Sequence, residues 1–270
     1  MSAVRVALIG YGAMGRMVAD LLRTRPGQAC VVAVVRRDPS TTLDSPTAPA
    51  DIPTVTTLVQ LRSVHADLVV ECAGHSALRQ FGPGALRAGY DLLVASVGAL
   101  ADVELEQQLR DNAKQSGARV LIPSGALGGL DLLAAARIGG VDCVTYIGRK
   151  PPEAWRGTRA ETLSNLDAAS AEVPFFSGTA REAALAFPQN ANVTAAVAIA
   201  GVGFDATRVQ LFADPQAAGN EHRIQAHGAF GSFELAVRAK ALAQNPKTSL
   251  LAPCSLVRSV LNRSESVALA

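Results

Sequence analysis

Two hydrophobic rhythms alternate through the first half of the chain. A mostly apolar run at 4–9 is followed by apolar side chains at 14, 17, 18, 21 and 22, and a second apolar run occupies 29–35. A short run of this kind reads as a buried strand, and the 3,4,7,8 spacing reads as an amphipathic helix. The same pair recurs, with strands predicted at 66–72, 91–95 and 119–122 and helices at 78–89 and 103–116. Within 78–89, Gly82-Pro83-Gly84 predicts a break or kink, because proline cannot continue the helical hydrogen bonds. Strand and helix in strict alternation predict a doubly wound parallel (Rossmann) sheet. Past 130 the rhythm changes to helices at 130–138, 179–185 and 191–200, with strands at 142–148, 207–212, 222–226 and 233–239. That order predicts a second, α+β domain carrying an antiparallel sheet. The last segment, 250–261, is apolar on one side and predicts a helix returning to the first domain. The expected division is 1–126, 127–245 and 246–270, with the Pro-, Ser- and Thr-rich stretch 39–54 as a surface loop.

Between the first strand and the first helix lies Gly10-Tyr11-Gly12-Ala13-Met14-Gly15. Glycines at this spacing, with a strand before and a helix after, form a dinucleotide-binding fingerprint. Gly10 permits the tight turn, Gly12 lets backbone approach a pyrophosphate, and Gly15 lets helix and strand pack closely. The free N–H groups at the helix start, around Ala13 and Met14, then face the phosphates. An NAD enzyme usually ends its second strand with a carboxylate for the ribose 2′-hydroxyl. Arg36 stands there instead, and a guanidinium suits a 2′-phosphate, so NADP is expected alongside NAD. Three later strand ends carry small residues: Ala73-Gly74, Ser96-Val97-Gly98 and the stretch containing Ala126. Small side chains there make room for the nicotinamide half of the cofactor.

Composition narrows the class. A formal net charge of +2 without any basic run gives no footprint for nucleic acid. No apolar run is long enough to span a bilayer, and a strand beginning by Val4 leaves no room for a signal peptide. Cys30, Cys72, Cys143 and Cys254 are far apart and lack metal-ligand spacing. They read as buried thiols in a reducing cytoplasm, with no metal.

Few side chains are equipped for acid–base work. His65 reads as exposed, and His75 either borders a ligand or starts a helix. His222 and His227, five apart on one strand, point to opposite faces, and His222 shares its face with Ile224 and Ala226. An imidazole on an apolar face is either a packed core residue or a poised general acid/base. Cations sit in two predicted loops, Arg149-Lys150-Pro151 and Asn245-Pro246-Lys247-Thr248-Ser249. Lys247, Thr248 and Ser249, read as a helix start, either cap that helix or hold a carboxylate. Asn190 and Asn192 flank another helix start and could cap it or reach an amide or carboxylate.

Together these stretches resemble the L-aspartate dehydrogenase family, nearly end to end. The resemblance rests on the glycine turn, Glu71-Cys72-Ala73-Gly74-His75, Pro123-Ser124-Gly125-Ala126, Arg149-Lys150-Pro151-Pro152, Pro188-Gln189-Asn190-Ala191-Asn192, Ala213-Asp214-Pro215 with Asn220-Glu221-His222, and the Asn245–Ser249 stretch. It implies oxidation of L-aspartate to iminoaspartate with NAD or NADP, or the reverse amination of oxaloacetate with ammonia. It implies a homodimer formed through the second domain, and in some organisms a supply of imine to pyridine nucleotide biosynthesis. His222 matches the family's active-site histidine, and Ala126 and Asn192 match its nicotinamide-contacting positions. Lys247, Thr248 and Ser249 are candidates for one substrate carboxylate and Lys150 or Arg149 for the other. Two rival readings are an imine reductase of the dihydrodipicolinate type and a non-catalytic dinucleotide sensor. The absence of a His-His pair before Lys150 argues against the first.

Overall fold

A computed structural model describes residues 2–36, 48–164, 166, 170–242 and 245–268, with backbone alone at 241, 242 and 245–248. The chain forms two compact units, one of Met1–Ser96, Val103–Pro123 and Pro253–Ala270, the other of Val97–Asp102 and Ser124–Ala252.

The first unit runs β1 (Val4–Ile9), α1 (Ala13–Arg23), β2 (Ala29–Val35), β3 (Thr54–Val55), β4 (Leu68–Glu71), α2 (His75–Arg87), β5 (Asp91–Val94), α3 (Val103–Ser116) and β6 (Val120–Leu121). Its six strands are all parallel in the order β3-β2-β1-β4-β5-β6, the predicted doubly wound sheet. Alternate side chains of β1, Val4, Val6 and Leu8, cluster with Val18, Ala19 and Leu22 of α1 and with Leu256, Val257 and Val260 of the chain's last helix. Each such burial contributes on the order of 1.5–3 kcal/mol. The loop predicted at 39–54 falls largely outside the described residues, and its end, Thr54–Val55, pairs with β2 as an edge strand.

Helix α2 runs unbroken through Gly82-Pro83-Gly84, contrary to the predicted break. Proline there costs about 3 kcal/mol by removing an N–H and crowding the preceding turn. Leu78, Phe81 and Leu86 are buried along the same helix, and their burial offsets that cost. At Gly82 a Cβ would stand only 2.9–3.3 Å from Leu78, Leu109 and Leu92, so the missing side chain lets α3 and β5 close on the helix.

The second unit contains α4 (Leu130–Gly139), β7 (Val141–Lys150), α5 (Ala160–Leu163), β8 (Val173–Thr179), α6 (Ala180–Ala186), α7 (Ala191–Ala200), β9 (Arg208–Ala213), β10 (Asn220–Gly228) and β11 (Gly231–Ala239). Its sheet, ordered β11-β10-β7-β9-β8, is mixed rather than purely antiparallel, because β7 and β9 run parallel. The chain returns from β7 to β9 through β8 and three helices, the kind of long crossover a parallel pair requires. Strand β8 escaped the sequence reading; it holds Pro174, which is tolerated because β8 is an edge strand. A separate pair, β12 (Ala241–Leu242) and β13 (Asn245–Ser249), precedes α8 (Leu251–Leu261), whose buried side chains join the core of the first unit.

The cysteines are free, but not buried as expected: Cys30 and Cys254 are exposed, Cys72 and Cys143 half-buried. Cys30 lies near the start of β2, and Cys254 in the first turn of α8. Among the described residues, no helix is long and apolar enough to cross a membrane, and no cluster of His, Cys, Asp or Glu could hold a metal.

Gly10 combines a left-handed backbone with a crowded Cβ position. Gly10 has φ of +90°, and a Cβ there would stand 2.5 Å from the Ala73 Cβ. Gly10→Ala should therefore destabilise the chain by about 2–4 kcal/mol, from left-handed strain plus overpacking. Chemical denaturation should record a lower midpoint with an unchanged m-value; an unshifted midpoint would refute the strain.

Candidate active site

In the first unit the glycine turn divides its tasks among its three glycines. The N–H of Gly10 donates to the Val35 carbonyl at 3.0 Å, which pins the turn between β1 and β2. A side chain at Gly15 would collide with the Gly10 carbonyl oxygen, so the helix can start only without one. Gly12 is exposed, and a Cβ there would meet nothing within 4 Å. It is also the N-cap of α1 and supplies no side-chain cap, so no side chain of its own competes for the N–H groups at Ala13 and Met14. An open backbone cradle at a helix N-terminus fits a pyrophosphate. Arg36 follows β2, half-buried, with its N–H bonded to the Val55 carbonyl at 2.9 Å. Ala73 and Gly74 form the turn after β4, and Ser96 follows β5 and is buried.

One residue in this half was quoted in the sequence reading without a role. Glu71 ends β4 and is fully buried, yet its carboxylate accepts hydrogen bonds from Ala73, Gly74 and Ser96. Burial pushes its pKa up, while the surrounding N–H groups pull it down, with a net rise. The available signal was a single acid closing an otherwise apolar run.

In the second unit the sheet register assembles a polar cluster. Tyr146, Gly148 and Lys150 alternate onto the buried face of β7, and His222 of β10 pairs with Gly148. The Tyr146 hydroxyl lies 2.8 Å from His222 Nδ1. A Cβ on Gly148 would stand 3.0 Å from that hydroxyl oxygen, so glycine leaves the space the pair occupies. Lys150 is 4% exposed; its Nζ donates to Asn190 Oδ1 at 2.6 Å and lies 5.1 Å from the centre of the Trp155 ring. Since Oδ1 faces the ammonium, the Asn190 amide nitrogen points elsewhere, and it is buried without a hydrogen-bond partner. A cation beside an unsatisfied amide donor is what a carboxylate requires.

His222 is pushed down to about 3, first by burial and then by the charge on Lys150. Its imidazole is therefore neutral near pH 7. Burial raises the Tyr146 hydroxyl above its usual value and keeps it protonated. A neutral imidazole with Nδ1 held by a hydroxyl has Nε2 as its second functional atom, a donor or an acceptor according to the tautomer.

The remaining predicted residues divide. Asn192 opens α7 exposed, and its Oδ1 accepts the Gly98 N–H at 2.9 Å, which orients its NH₂ as a donor. Val97 and Ala126 are buried. Arg149 and Lys150 end a strand instead of forming a loop, and alternation puts Arg149 on the opposite sheet face. There it pairs with Glu172 and Glu221, each at 2.9 Å. Lys247, Thr248 and Ser249 lie on β13, not in a helix start, because 245–249 pairs with β12. The side chains of Lys247 and Thr248 are outside the described residues. Ser249 is buried, and its hydroxyl accepts the Leu251 N–H at 3.1 Å, a cap for α8. His65 is exposed, His75 starts α2, and His227 is exposed on the face opposite His222.

Residues 10–123 match the model of the homoserine dehydrogenase NAD-binding domain, and residues 131–263 match that of the aspartate dehydrogenase C-terminal domain. An L-aspartate dehydrogenase of Cupriavidus necator is 45% identical over 98% of this chain and 100% of its own length. One from Pseudomonas aeruginosa is 41% identical over the same shares. The crystal structure of aspartate dehydrogenase from Thermotoga maritima superposes with a TM-score of 0.78 at 25% identity, covering 99% of both chains. With a nucleotide-binding first unit and a second unit that matches this family across its polar cluster, the chain belongs to the L-aspartate dehydrogenase family.

Proposed function

We propose that the chain oxidises L-aspartate to iminoaspartate with NAD or NADP, and in reverse aminates oxaloacetate with ammonia. The observation that carries this reading is the buried Lys150–Asn190 pair beside a neutral His222, within the segment matching the aspartate dehydrogenase model. A dicarboxylate substrate needs an anchor of this kind, and Lys150 with the Asn190 amide is its best candidate. Ser249 is committed to capping α8.

When bound, the nicotinamide ring supplies the hydride acceptor. The substrate ammonium must lose a proton before its carbon can become an imine. In the tautomer with Nδ1–H donating to the Tyr146 oxygen, His222 Nε2 is an acceptor, and a substrate carboxylate that neutralises Lys150 removes one of the two influences that weaken it as a base. Lys150 serves twice, as the candidate holder of a carboxylate and, after burial, as the second cause of the imidazole's neutrality in the free protein. Water adds to the released imine to give oxaloacetate and ammonia. On the first unit, Gly10, Gly12, Ala13, Met14 and Gly15 are assigned to the pyrophosphate, and Arg36 to a 2′-phosphate. Ala73, Gly74, Ser96, Val97, Ala126 and Asn192 are assigned to the nicotinamide half.

Cytoplasmic action as a homodimer, supplying imine to pyridine nucleotide biosynthesis, belongs to the same proposal. The sheet face bearing Arg149, Glu221, Arg223 and Glu234 supports the dimer, since its paired charges of both signs suit a second copy of the same surface.

The direct test is absorbance at 340 nm with a panel of amino acids and both cofactors. Signal with L-aspartate alone is expected, and none with any amino acid would sink the proposal. His222→Ala should lower kcat about 10²–10⁴-fold without weakening cofactor binding; a loss under tenfold rejects the acid–base role. Tyr146→Phe removes the atom that orients the imidazole and should lower kcat about tenfold with little change in the aspartate KM. A changed KM at constant kcat would assign Tyr146 to binding instead. Arg36→Ala should raise the KM for NADP about tenfold or more while leaving that for NAD within about threefold. Equal effects on both would rule out recognition of the 2′-phosphate.

A further inference from the structure

Glu71 stands at the carboxyl end of β4 with no exposed surface. Several kcal/mol is the usual cost of burying a carboxylate unless its lone pairs are met by donors. Here Oε1 accepts from the Ala73 N–H at 2.7 Å, the Gly74 N–H at 2.8 Å and the Ser96 hydroxyl at 2.9 Å. Oε2 accepts from the Ser96 N–H at 2.9 Å. These donors come from two separate connections, the turn from β4 into α2 and the residue that follows β5. One side chain therefore ties two neighbouring strand ends together.

An ordinary turn would be satisfied by a serine or asparagine bonding its own backbone. An ionised carboxylate differs in being acceptor-only and in making charge-assisted, shorter bonds, so it fixes its donors more stiffly. A doubly wound sheet is built from two mononucleotide-binding halves, and β4 begins the second of them. The loops Glu71 holds lie at the carboxyl ends of that half, where ligands bind.

We infer that Glu71 is a positioning residue for the pyridine-nucleotide half of the cofactor, acting through Ala73, Gly74 and Ser96 without touching the ligand itself. The glycine turn and α1 hold the other half independently of it. This inference rests on the dinucleotide reading of the first unit and not on the identity of the substrate.

The experiment compares two probes on the full chain with no substrate present: the reduced dinucleotide, followed by its fluorescence, and ADP, which occupies only the first half. Glu71→Gln keeps the shape but sets an NH₂ group against N–H donors. It should weaken the dinucleotide about tenfold or more and leave ADP within about twofold. Ser96→Ala deletes one of the four bonds with little change in volume, and should shift the dinucleotide in the same direction by about threefold. Should Glu71→Gln not fold, Glu71→Asp, which keeps the charge but shortens the reach to the same donors, carries the test with the same two probes. Equal weakening of both probes, or a lower Tm with neither affinity changed, would overturn the inference. A wild-type chain that binds no dinucleotide overturns it together with the cofactor reading. Failure of aspartate turnover with this binding pattern intact faults the substrate reading alone.

Discussion

In the first unit, the ends of two adjacent parallel strands approach to backbone distance, and what is built on the sheet depends on that approach. Gly10 at the end of β1 and Ala73 after β4 leave no space for a further carbon between them. The contact falls where strand order reverses, the point at which a doubly wound sheet opens a crevice for ligand. Gly10 must adopt a left-handed conformation to turn there, and Gly15 must lack a side chain so that α1 can begin against the Gly10 carbonyl. The uncapped N–H groups of α1 are thereby delivered next to the same strand ends. Glu71 holds the opposite wall in place. The geometry is set by what is missing at two glycines and by one carboxylate behind them.

The second unit meets a different constraint, that of keeping ionisable groups useful inside a sheet-and-helix layer. A buried imidazole beside an ammonium gives up its proton, which costs nothing in hydrogen bonding because the Tyr146 hydroxyl occupies Nδ1. Lys150 keeps company with an amide oxygen and an indole face, both of which turn partial negative charge toward the cation. On the reverse of the same sheet, the arginines and glutamates are paired among themselves. The alternation of a strand thus places one set of charges in ion pairs and the other in a half-satisfied cluster. The Asn190 amide nitrogen shows that the cluster's hydrogen bonding is incomplete.

Much of this was legible in the sequence because local periodicity carries it. The two-sided strands β1, β2, β4 and β5, the helix Val103–Ser116 and the glycine turn all announce themselves within a dozen residues. What stayed hidden depends on partners far away in the chain. Pro83 reads as a break until Leu109 and Leu92 are seen closing on the helix that contains it. Pro174 hides a strand that only its edge position permits. The parallel pairing of β7 with β9 has no local signature. Lys150 reads as part of a loop until the register of β7 carries it to the end of a strand, facing inward with Tyr146. Tyr146 itself was passed over, since nothing near residue 146 reveals an imidazole 76 positions later. The histidine face was readable from the Ile224 and Ala226 alternation; the neutrality of His222 was not, because it comes from burial and from Lys150.

Helix α8 has a consequence for how the molecule comes into being. Its side chains Leu256, Val257, Val260 and Leu261 sit in the same core as Val4, Leu8 and Val18, although about 250 residues separate them. During synthesis β1 leaves the ribosome well before α8, which forms one wall of the same core. The core of the first unit is therefore complete only once α8 has been made, and the apolar surface that α8 covers stays open until then. A core shared by β1 and α8 cannot close from the amino-terminal residues alone.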